Sequence, residues 1–521
     1  MTRDAAAIGA GLAGAREARR IVTGELVHVI GAAGAGASAA ALLALRAGAI
    51  VTGCDPGGPS PYTAALEAAR IPLAWAHDPS HVSGLPASAR VAVTKALTAI
   101  DPDNPELVAA RAAGIQLETW QQVVADVAVG RTLVGVAGTH GKSTTAGWLV
   151  HTLAEAGFDP SAFVGALLPG GLTGGVPSTA RWGAGAPFVV EADEYAGNFD
   201  PYRPDVAVLT GAEWDHPDVF ADRDAVVEAF VVWLRNAPPG ATVVINVADE
   251  GGAAVAHGLA DRPIALVVTA VVDAGTAHIA ASVAQLVERY ATAAGPPRVL
   301  LGTIVASEPG GSVVEMHGLD PGADPWLVRL HSAGRHNVAN ALGVAGAALV
   351  LGMTPASIAA GLGSFEGVGR RLERMGECRG VVVYDDYGHH PTAIRATIEA
   401  IRQREPDRRV WAVYEPLTYH RTAALLPDFA EALASADAVV IADIWAGRDP
   451  DTTVASALGL SDSVARVRPG MIVAAPGSVD ASAAWLATAV SSGDAVLVMG
   501  GGNSYRIATG LLARLKASEG P

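Results

Sequence analysis

Short apolar runs alternate along this chain with stretches of helical periodicity. The first segment opens with LVHVIG at 26–31, continues through an Ala-rich helical stretch at 35–47, and returns to strand-like runs at 49–55 and 90–94. A strand, a helix and a second strand in succession form a βαβ unit. Units of this kind predict a parallel sheet that carries helices on both faces.

Two further segments repeat this alternation. The second opens with TLVGVAG at 132–138 and carries PFVVEADE at 187–194 and VAVLTGAEWDH at 206–216. The third opens with GVVVYDDYGHHPTAI at 380–394, and the apolar runs VWAVYEP, AVVIADIW and AVLVMGGG follow it. Residues 250–330 hold short β-like pieces that are typical of a more antiparallel portion. The pattern predicts α/β domains whose ligands lie at the carboxyl ends of the strands.

The length of 521 residues agrees with several domains, because it exceeds what a single core supports. The segments predict an N-terminal extension at 1–25 and three domains at 26–126, 127–362 and 363–521. Within the extension, the small-residue stretch at 5–14 is too short to span a membrane, and we expect a frayed or docked helix there.

Composition excludes some classes of function. Lys and Arg total 36 against 52 Asp and Glu, and the resulting net charge of −16 argues against nucleic acid as the main partner. Cys54 and Cys378 cannot form a disulfide framework, and we expect both to be small buried hydrophobes in a reducing compartment. Because a secretory pattern is missing near the start, we expect a cytoplasmic protein without membrane insertion.

A glycine loop, GTHGKST at 138–144, joins the run at 132–138 to a helical stretch. Backbone N–H groups in such a loop can cradle phosphate at the N-terminus of the next helix. Lys142 would bring a positive charge to the outer phosphates, and Ser143 would offer a hydroxyl to Mg²⁺. Val136 stands where the usual spacing places a glycine, so the loop is short. A plain glycine turn with a solvated lysine is the alternative.

Acidic groups and an imidazole follow two neighbouring runs. Glu191, Asp193 and Glu194 come at the end of one, and Asp215 and His216 at the end of another. Carboxylates at strand ends beside a phosphate loop suit a hard cation that bridges phosphates. Either cluster alone could be a helix cap or a surface turn. Together with the loop they predict a nucleotide and metal site.

The order of these motifs resembles the Mur ligase family, ATP-dependent amide-forming enzymes of peptidoglycan synthesis. The stretches that carry the resemblance are HVIGAAGAGAS (28–38), GCD (53–55), GTHGKSTT (138–145), EADEYAGNFD (191–200), WDHPD (214–218), GRHNVANALGVAGAAL (334–349), FEGVGRRLE (365–373), DDYGHHPTAI (385–394) and YHRT (419–422). The resemblance covers about 26–510. It implies a Rossmann-like N-terminal domain, a central P-loop-type ATP-binding domain and a Rossmann-like C-terminal domain.

The branch that these motifs resemble most adds L-alanine to UDP-N-acetylmuramate, in cell wall biogenesis that underlies cell shape and division. By resemblance, the lactyl carboxylate of the sugar nucleotide takes the γ-phosphate of ATP to give an acyl phosphate, which an amine then attacks. The implied substrates are UDP-N-acetylmuramate and a small amino acid, with ATP and Mg²⁺, or Mn²⁺, as cofactors. The resemblance leaves a monomer and a homodimer both open.

Roles for individual residues also come from the resemblance. The catalytic residues would be Lys142, Glu191, His216, Arg371 and His389. ATP would be bound by Gly138, Thr139, Gly141, Lys142, Ser143, Thr144, Asn337, Asn340, Arg371 and Asp386. The UDP-sugar would be bound by Gly31, Gly34, Ala35, Gly36, Ser38 and Asp55. The amino acid would contact Tyr387, His389 and Arg421, and the metal ligands would be Ser143, Glu191 and His216.

Other interpretations of these residues stay open. Asn337 and Asn340 could be packing or capping groups, Arg370 a solvated neighbour of Arg371, and the loop at 31–38 a plain strand–helix turn. His216 is expected to have Glu191 nearby and to support a second metal, although imidazole is an unusual ligand for Mg²⁺.

The chain departs from the family pattern at several positions, namely Ala32, Ala33, Gly211, Glu415, Leu417 and Asn503. These departures leave the acceptor open, so a ligase for another amino acid or for a recycled peptide is an alternative. A nucleotide-binding module that has lost turnover is a third possibility, from a different class of protein.

Overall fold

The computed structural model of this protein describes residues 8–273, 276–320, 322–447, 449 and 451–517. The described residues form three β-sheets, one from each segment, with helices packed on them. The predicted α/β class with three domains is confirmed. Among the described helices, none combines the length and the apolar character that crossing a bilayer requires.

The first domain is a parallel sheet of five strands. Its strands are β1 (Leu26–Ile30), β2 (Ile50–Cys54), β3 (Leu73–Ala74), β4 (Arg90–Val93) and β5 (Leu117–Thr119). Its helices are α1 (Ala35–Arg46), α2 (Thr63–Ala68), α3 (Ser80–Ser83), α4 (Lys95–Ile100), α5 (Pro105–Ala112) and α6 (Trp120–Val127). The spatial order is β3-β2-β1-β4-β5. Because the order reverses at β1, a ligand crevice opens at the carboxyl ends of β1 and β4.

The second domain holds a ten-stranded sheet. Its strands are β6 (Thr132–Ala137), β7 (Ser161–Leu168), β8 (Ser178–Arg181), β9 (Pro187–Glu191), β10 (Val206–Leu209), β11 (Thr242–Asn246), β12 (Ala265–Val272), β13 (Arg298–Glu308), β14 (Gly311–His317) and β15 (Trp326–Leu330). Its helices are α7 (Lys142–Glu155), α8 (Gly170–Thr173), α9 (Arg223–Arg235), α10 (Glu250–Gly258), α11 (Thr276–Arg289), α12 (Arg335–Val350) and α13 (Pro355–Gly363), with a 3₁₀ turn at Tyr195–Gly197.

The antiparallel portion of this sheet is smaller than predicted. Strands β13, β14 and β15 pair antiparallel, as the short β-like pieces indicated. Strand β12 instead pairs parallel with both β11 and β13, so the prediction was wrong for 265–272. The reason is that α11 intervenes between β12 and β13 and returns the chain in the same direction.

The third domain is a six-stranded sheet. Its strands are β16 (Glu373–Cys378), β17 (Val381–Asp386), β18 (Arg409–Tyr414), β19 (Ala438–Ala442), β20 (Ile472–Gly477) and β21 (Asp494–Met499). Its helices are α14 (Pro391–Arg404), α15 (Tyr419–Ala424), α16 (Leu426–Leu433), α17 (Ala457–Val467), α18 (Val479–Ala489) and α19 (Tyr505–Ala517). The order is β16-β17-β21-β18-β19-β20, in which only β16 runs antiparallel to its neighbour.

Burial explains why these runs become strands. Inner strands such as β6 and β19 are covered on both faces, so they are apolar without alternation. Trp148 of α7 is fully buried and stacks on Phe365 with ring centroids 4.7 Å apart. Edge-to-face packing of Trp120 on Phe163 joins the first domain to the second.

The described part of the N-terminal extension contains no helix. Residues 8–12 form turns, and the chain then runs without regular structure to β1, so the predicted helix is wrong for 8–14. Residues 1–7 lie outside the described part. Arg16 docks the extension through an ion pair of 2.6 Å with the buried Asp126. The predicted domain boundaries stay predictions; those after 126 and 362 fall at the last residues of α6 and α13.

Candidate active site

The glycine loop leaves β6 at the centre of its sheet and enters α7. Strands β9 and β10 flank β6, so the acidic groups that follow them reach the same edge. Gly138 (φ 126°) and Gly141 (φ 77°) have left-handed backbones, and Gly141 caps α7. A Cβ at Gly138 would overlap Thr210, and one at Gly141 would lie 2.5 Å from Oδ1 of Asn340. Only glycine fits both positions, which allows the tight cradle that a phosphate requires.

Lys142 is the first residue of α7, and it is not solvated as the alternative interpretation had it. Its Nζ donates to Oε2 of Glu194 at 2.9 Å and to the carbonyl of Gly138 at 2.7 Å, and it lies 3.6 Å from Oδ1 of Asp193. Burial alone would lower the pKa of Lys142, but the carboxylates of Glu194 and Asp193 outweigh burial and hold that pKa above its usual range. A fixed cation therefore lies beside the loop.

Ser143 and Glu191 lie together, as expected of ligands to one metal. Oγ of Ser143 donates to Oε1 of Glu191 at 3.0 Å, and the backbone N–H of Gly165 donates to Oε2 at 2.6 Å. A Cβ at Gly165 would lie 2.7 Å from the carboxylate, so a glycine makes room for it. Hydroxyl and carboxylate oxygens are the donors that Mg²⁺ prefers, and this pair fits that ion.

His216 is grouped with Asp193 and Glu194. The sequence had suggested Glu191 as its neighbour instead. One ligand atom from each of the three lies within 4.8 Å of the others, and Glu191 is not a member of this group. His216 has a left-handed backbone (φ 56°), and its N–H donates to Oδ1 of Asp215 at 2.6 Å. Strain of this kind in a non-glycine residue is common at functional sites. The carboxylates suit Mg²⁺ or Mn²⁺, whereas the imidazole suits softer ions.

Arg421 reaches this group from the third domain. Its Nη2 lies 2.9 Å from Oδ1 of Asp215 and 3.1 Å from Nδ1 of His216, and the side chain is buried. Burial alone would raise the pKa of Asp215, but Arg421 and His216 hold that pKa well below its usual range. Arg421 was expected to meet a substrate carboxylate; in this structure its planar fork contacts a carboxylate of the protein itself.

His389 and Tyr387 form the opposite wall. Nδ1 of His389 lies 2.9 Å from the carbonyl oxygen of Tyr387, and the two rings meet edge to face. Burial, with the nearby charge of Arg421, holds the pKa of His389 well below its usual range, so the imidazole is neutral. Arg371 packs over the ring of Tyr387 at 4.8 Å and donates to Oγ of Ser143 at 2.7 Å. This contact links the start of the third domain to the residue that follows Lys142.

Arg370 is not the solvated neighbour that was considered. Its Nε donates to Oδ2 of Asp385 at 2.9 Å, and its Nη2 donates to the carbonyl of Gly500 and to Oγ of Ser504. Burial alone would lower the pKa of Arg370, but Asp385 outweighs burial and raises it. The residue ties the start of the third domain together while Arg371 faces the second.

A smaller cavity of about 300 Å³ lies behind the glycine loop. Asn337, Asn340 and Asp386 line it together with His336 and Thr144. Nδ2 of Asn340 donates to Oδ1 of Asn337 at 3.2 Å, so the two amides form one polar edge, as their spacing predicted. Asp386 accepts from the N–H groups of Leu372 and Gly388, and its contact with a ribose stays a prediction.

The glycine loop of the first domain, residues 31–38, borders the main cavity of about 830 Å³ only in part. Gly31 (φ 83°) makes the turn after β1, Gly34 precedes α1, and a Cβ at Gly36 would overlap the ring of Trp120. Asp55 accepts from the N–H of Ala33 at 3.1 Å and so holds the loop. Ser38 is fully buried, and its hydroxyl contacts the carbonyl of Ala35 and Oγ1 of Thr179, so it faces the domain junction instead of the cavity.

A cavity of about 830 Å³ gathers side chains from all three domains. The predicted residues that line it are Ala35, Gly36, Asp55, Thr139, Gly141, Lys142, Ser143, Glu191, His216, Arg371, Tyr387, His389 and Arg421. Lys95 was missed by sequence reasoning; its Nζ donates to the carbonyls of Ala196 and Gly197 at 2.7 and 2.8 Å. A lone lysine after an ordinary strand carries no signal that could have found it.

Comparison with protein families covers most of the chain. Three family models match in order: the catalytic domain of the Mur ligase family at residues 26–132, the Mur ligase middle domain at 136–348, and the Mur ligase glutamate ligase domain at 370–502. A UDP-N-acetylmuramate–L-alanine ligase from Mycobacterium sp. (strain JLS) is 37% identical over 495 residues, which are 94% of this chain and 95% of that protein. Another from Mycolicibacterium smegmatis is 36% identical over 95% of this chain and 96% of that protein.

Solved structures share the fold. A UDP-N-acetylmuramate–alanine ligase from Thermotoga maritima superposes with a TM-score of 0.72 at 23% identity, over 95% of this chain and 99% of the other. A murein peptide ligase from Psychrobacter arcticus gives 0.68 at 24% identity, over 94% and 99%. The similarity to those two structures shows the fold alone. The relatives above 30% identity align with nearly the whole sequence. The chain, with its glycine loop, acidic strand ends and Arg371 in the family's order, belongs to the Mur ligase family.

Proposed function

We propose that this protein is an ATP-dependent ligase that joins the lactyl carboxylate of UDP-N-acetylmuramate to the amine of L-alanine through an acyl phosphate. Members of the family are ATP-dependent ligases that generally use Mg²⁺. The relatives that match most of the chain carry the name of this reaction. The cytoplasmic location and the oligomeric state stay predictions.

The observation that carries the proposal is the composition of the 830 Å³ cavity. The first domain contributes a glycine loop with Asp55, the second contributes Lys142 beside carboxylates, and the third contributes Arg371 and Arg421. One space thus borders the first-domain crevice, the glycine loop of the second domain and an arginine whose fork fits a carboxylate, which we assign to the sugar nucleotide, the phosphates and the amino acid in turn. A ligase needs all three, because it must align an acid, a phosphoryl donor and an amine.

In the first step, an oxygen of the lactyl carboxylate attacks the γ-phosphorus of ATP, and the bond to ADP breaks. Lys142 would stabilise the charge that spreads over the transferred group, and Arg371 would contact the same group across the domain hinge. A divalent cation held by Ser143 and Glu191, and a second one near His216, would supply further charge neutralisation. The product is a mixed anhydride with phosphate as a good leaving group.

In the second step, the amine attacks the activated carbonyl and phosphate leaves. Arg421 would pair the carboxylate of the incoming amino acid and so orient its amine. His389 is neutral, and in the tautomer that donates from Nδ1 to Tyr387 its Nε2 is an acceptor. That nitrogen is suited to take the proton that the amine must lose.

The acceptor is tested by competition. Purified protein is incubated with ATP, Mg²⁺, UDP-N-acetylmuramate and an equimolar mixture of alanine, glycine, serine and a tripeptide, and the sugar-nucleotide products are separated by mass spectrometry. We expect the alanine adduct to dominate. A dominant tripeptide adduct would instead identify a peptide-recycling ligase, and no phosphate release with any acceptor would contradict ligase activity.

Substitution of Lys142 tests the phosphate site. Lys142→Ala should lower kcat for phosphate release by about 10²–10³-fold, as expected when a preorganised charge contact to a transition state is lost. Lys516→Ala, at an exposed position of α19, is the matched control and should leave kcat unchanged. A kcat for Lys142→Ala within a few-fold of wild type would refute the assignment. Negligible turnover by wild type itself, with ATP still bound, would favour the module without catalysis.

A further inference from the structure

A second group of potential metal ligands lies in the first domain, apart from the cavity just described. It consists of His28 on β1, Cys54 at the end of β2, His81 on α3 and Glu106 on α5. One ligand atom from each lies within 4.8 Å of all the others. Cys54 is therefore not the plain buried hydrophobe that its sequence context indicated.

Glu106 is at the centre of this group and is fully buried. The thiol of Cys54 donates to Oε2 at 2.9 Å, and Nδ1 of His81 lies 2.5 Å from Oε1. In the described part of the chain, Glu106 forms no ion pair with lysine or arginine; its neighbours are imidazoles, the thiol of Cys54 and the backbone N–H of Asp78, which donates to Oε1 at 3.0 Å. A metal ion held within the group would compensate the charge of this buried carboxylate.

His28 supplies the second, independent observation. Its side chain is 2% exposed, and Nε2 has no hydrogen-bond partner among the described residues although it lies 3.5 Å from Oε2 of Glu106. Nδ1 lies 2.8 Å from Oγ1 of Thr52. In the tautomer that donates to Thr52, Nε2 presents a lone pair to the carboxylate. A cation between this lone pair and the carboxylate would satisfy both groups in the dry interior.

One distance within the group agrees with zinc geometry. Tetrahedral zinc, with bonds of about 2.0–2.3 Å, places its ligand atoms roughly 3.3–3.8 Å apart. Nε2 of His28 is 3.5 Å from Oε2 of Glu106, and Nδ1 of His77, next to the group, is 3.4 Å from Sγ of Cys54 and 3.7 Å from Oε2. Sγ of Cys54 and Nδ1 of His81 lie closer to the carboxylate oxygens of Glu106, at the hydrogen-bond distances of 2.9 and 2.5 Å, and would move outward as the metal replaces the protons between them. A thiolate with imidazoles is a soft donor set, which selects zinc over Mg²⁺.

We propose that His28, Cys54, His81 and Glu106 form a structural Zn²⁺ site that ties β1 and β2 to α3 and α5. Binding forms a zinc–sulfur bond and releases the thiol proton to solvent, and the proton that Nδ1 of His81 shares with Oε1 of Glu106 moves to Nε2, so the imidazole binds in its neutral form. Thr52 holds the tautomer of His28.

The site would also act on the first-domain crevice. Cys54 immediately precedes Asp55, whose carboxylate holds the glycine loop through Ala33. A metal that fixes the end of β2 therefore fixes the position of Asp55 as well. Closed coordination by four protein ligands is typical of structural zinc, so the ion would stabilise the domain without taking part in the reaction.

Cobalt is a suitable probe, because a thiolate bound to Co²⁺ absorbs in the near ultraviolet and tetrahedral Co²⁺ absorbs strongly in the visible. The full chain is stripped of metals with a chelator and titrated with Co²⁺ in excess Mg²⁺, which occupies sites with oxygen ligands. We expect one Co²⁺ per chain with both absorptions, and stoichiometric Zn²⁺ should bleach them. Folded wild type without the thiolate band would overturn the proposal.

Variants test whether Cys54 is the source of the thiolate absorption band. Cys54→Ser should lose it, whereas Cys378→Ser, the matched control in the third domain, should keep it; an unchanged band in Cys54→Ser would overturn the proposal. Thr52→Val should keep the band but weaken Zn²⁺ binding by about 10–100-fold, as expected when the partner of a ligand histidine is lost. If Cys54→Ser does not fold, Glu106→Gln and His81→Asn are used, and unchanged Zn²⁺ affinity in both would refute the site.

Discussion

At the scale of single residues, the buried charges of this protein differ in whether an opposite charge lies beside them. Lys142 forms an ion pair with Glu194, and Asp215 forms one with Arg421. Glu415 is equally buried, but it accepts only from the backbone N–H groups of residues 503 and 504, and Oε2 has no hydrogen-bond partner within the described chain. Burial consequently raises the pKa of Glu415 from 4.5 to about 7.

This buried carboxylate makes stability depend on pH. Since the folded-state pKa lies above the unfolded one, the contribution of Glu415 to stability is fully present below pH 4.5 and is lost as pH rises through about 7, by about 3 kcal/mol in total. Glu415→Gln should remove this loss, so the variant should gain on wild type between pH 4.5 and 7 and keep a constant lead above 7. Urea unfolding across that range measures the difference. Glu431→Gln, exposed on α16, is the control, and an equal pH profile in all three proteins would contradict the assignment.

One departure from the family pattern also has an explanation at this scale. Gly211 stands where asparagine is usual, and a Cβ there would lie 2.9 Å from the carboxylate carbon of Asp249. Oδ1 of Asp249 accepts from the N–H of Ala212 at 2.8 Å and from Gly252 at 2.7 Å, where it caps α10. The cap occupies the space that a side chain at 211 would need.

At the scale of elements, helix α7 links the glycine loop at 138–144 to the core. Its first residue is Lys142, and Trp148 anchors its middle in the core. Gly141 at its start and Gly157 just after its end have nearly the same left-handed backbone, with φ of 77° and 79°. A Cβ would lie 2.5 Å from Asn340 at Gly141, whereas it would meet nothing within 4 Å at Gly157. Alanine at Gly157 therefore introduces backbone strain alone, whereas alanine at Gly141 introduces the same strain together with a steric clash.

Alanine at these two glycines should have unequal effects. Gly157→Ala should lower the free energy of unfolding by about 1–2 kcal/mol, the strain of a left-handed Cβ. Gly141→Ala should lose roughly 1–3 kcal/mol more through overpacking against Asn340, and it should also weaken ATP binding because the cradle widens. Urea unfolding and calorimetric titration with ATP measure both effects. Equal losses of stability together with wild-type affinity for ATP would refute the role given to Gly141.

At the scale of the whole molecule, a few polar contacts hold the second and third domains together around the cavity. Arg421 pairs with Asp215, Arg371 donates to Ser143, and the amide of Gln403 reaches the carbonyls of Glu308 and Gly311. The Arg421–Asp215 pair is buried, so its partners depend on each other. Substrates that compete for Arg421 would therefore change how the domains meet.

The buried pair predicts a strong coupling between the two domains. Arg421→Met should lower the free energy of unfolding by about 3–5 kcal/mol, because it leaves Asp215 buried and uncompensated. Adding Asp215→Asn should restore most of the loss. Urea unfolding of both single variants and the double variant gives the coupling. Arg223→Met, which breaks the exposed pair with Glu250, is the control and should barely move the midpoint; additive losses would contradict the coupling.

The sequence by itself determined whatever depends on neighbours along the chain. The apolar runs predicted the strands, and the loop at 138–144 predicted its own turn, since glycine geometry and a helix start are local properties. The order of motifs likewise determined the family. The spacing of Asn337 and Asn340 correctly predicted a shared polar edge, because both lie on one face of one helix.

Only the tertiary structure decided which distant groups meet. The partner of Lys142 is Glu194, Arg421 faces Asp215 across a domain boundary, and Cys54 lies among imidazoles. These groups are separated by tens to hundreds of residues, and no local periodicity encodes which strand lies beside which. Strand order and domain packing set those distances, because burying apolar faces places the strand ends, and the polar groups there must then pair with whatever the packing brings within reach.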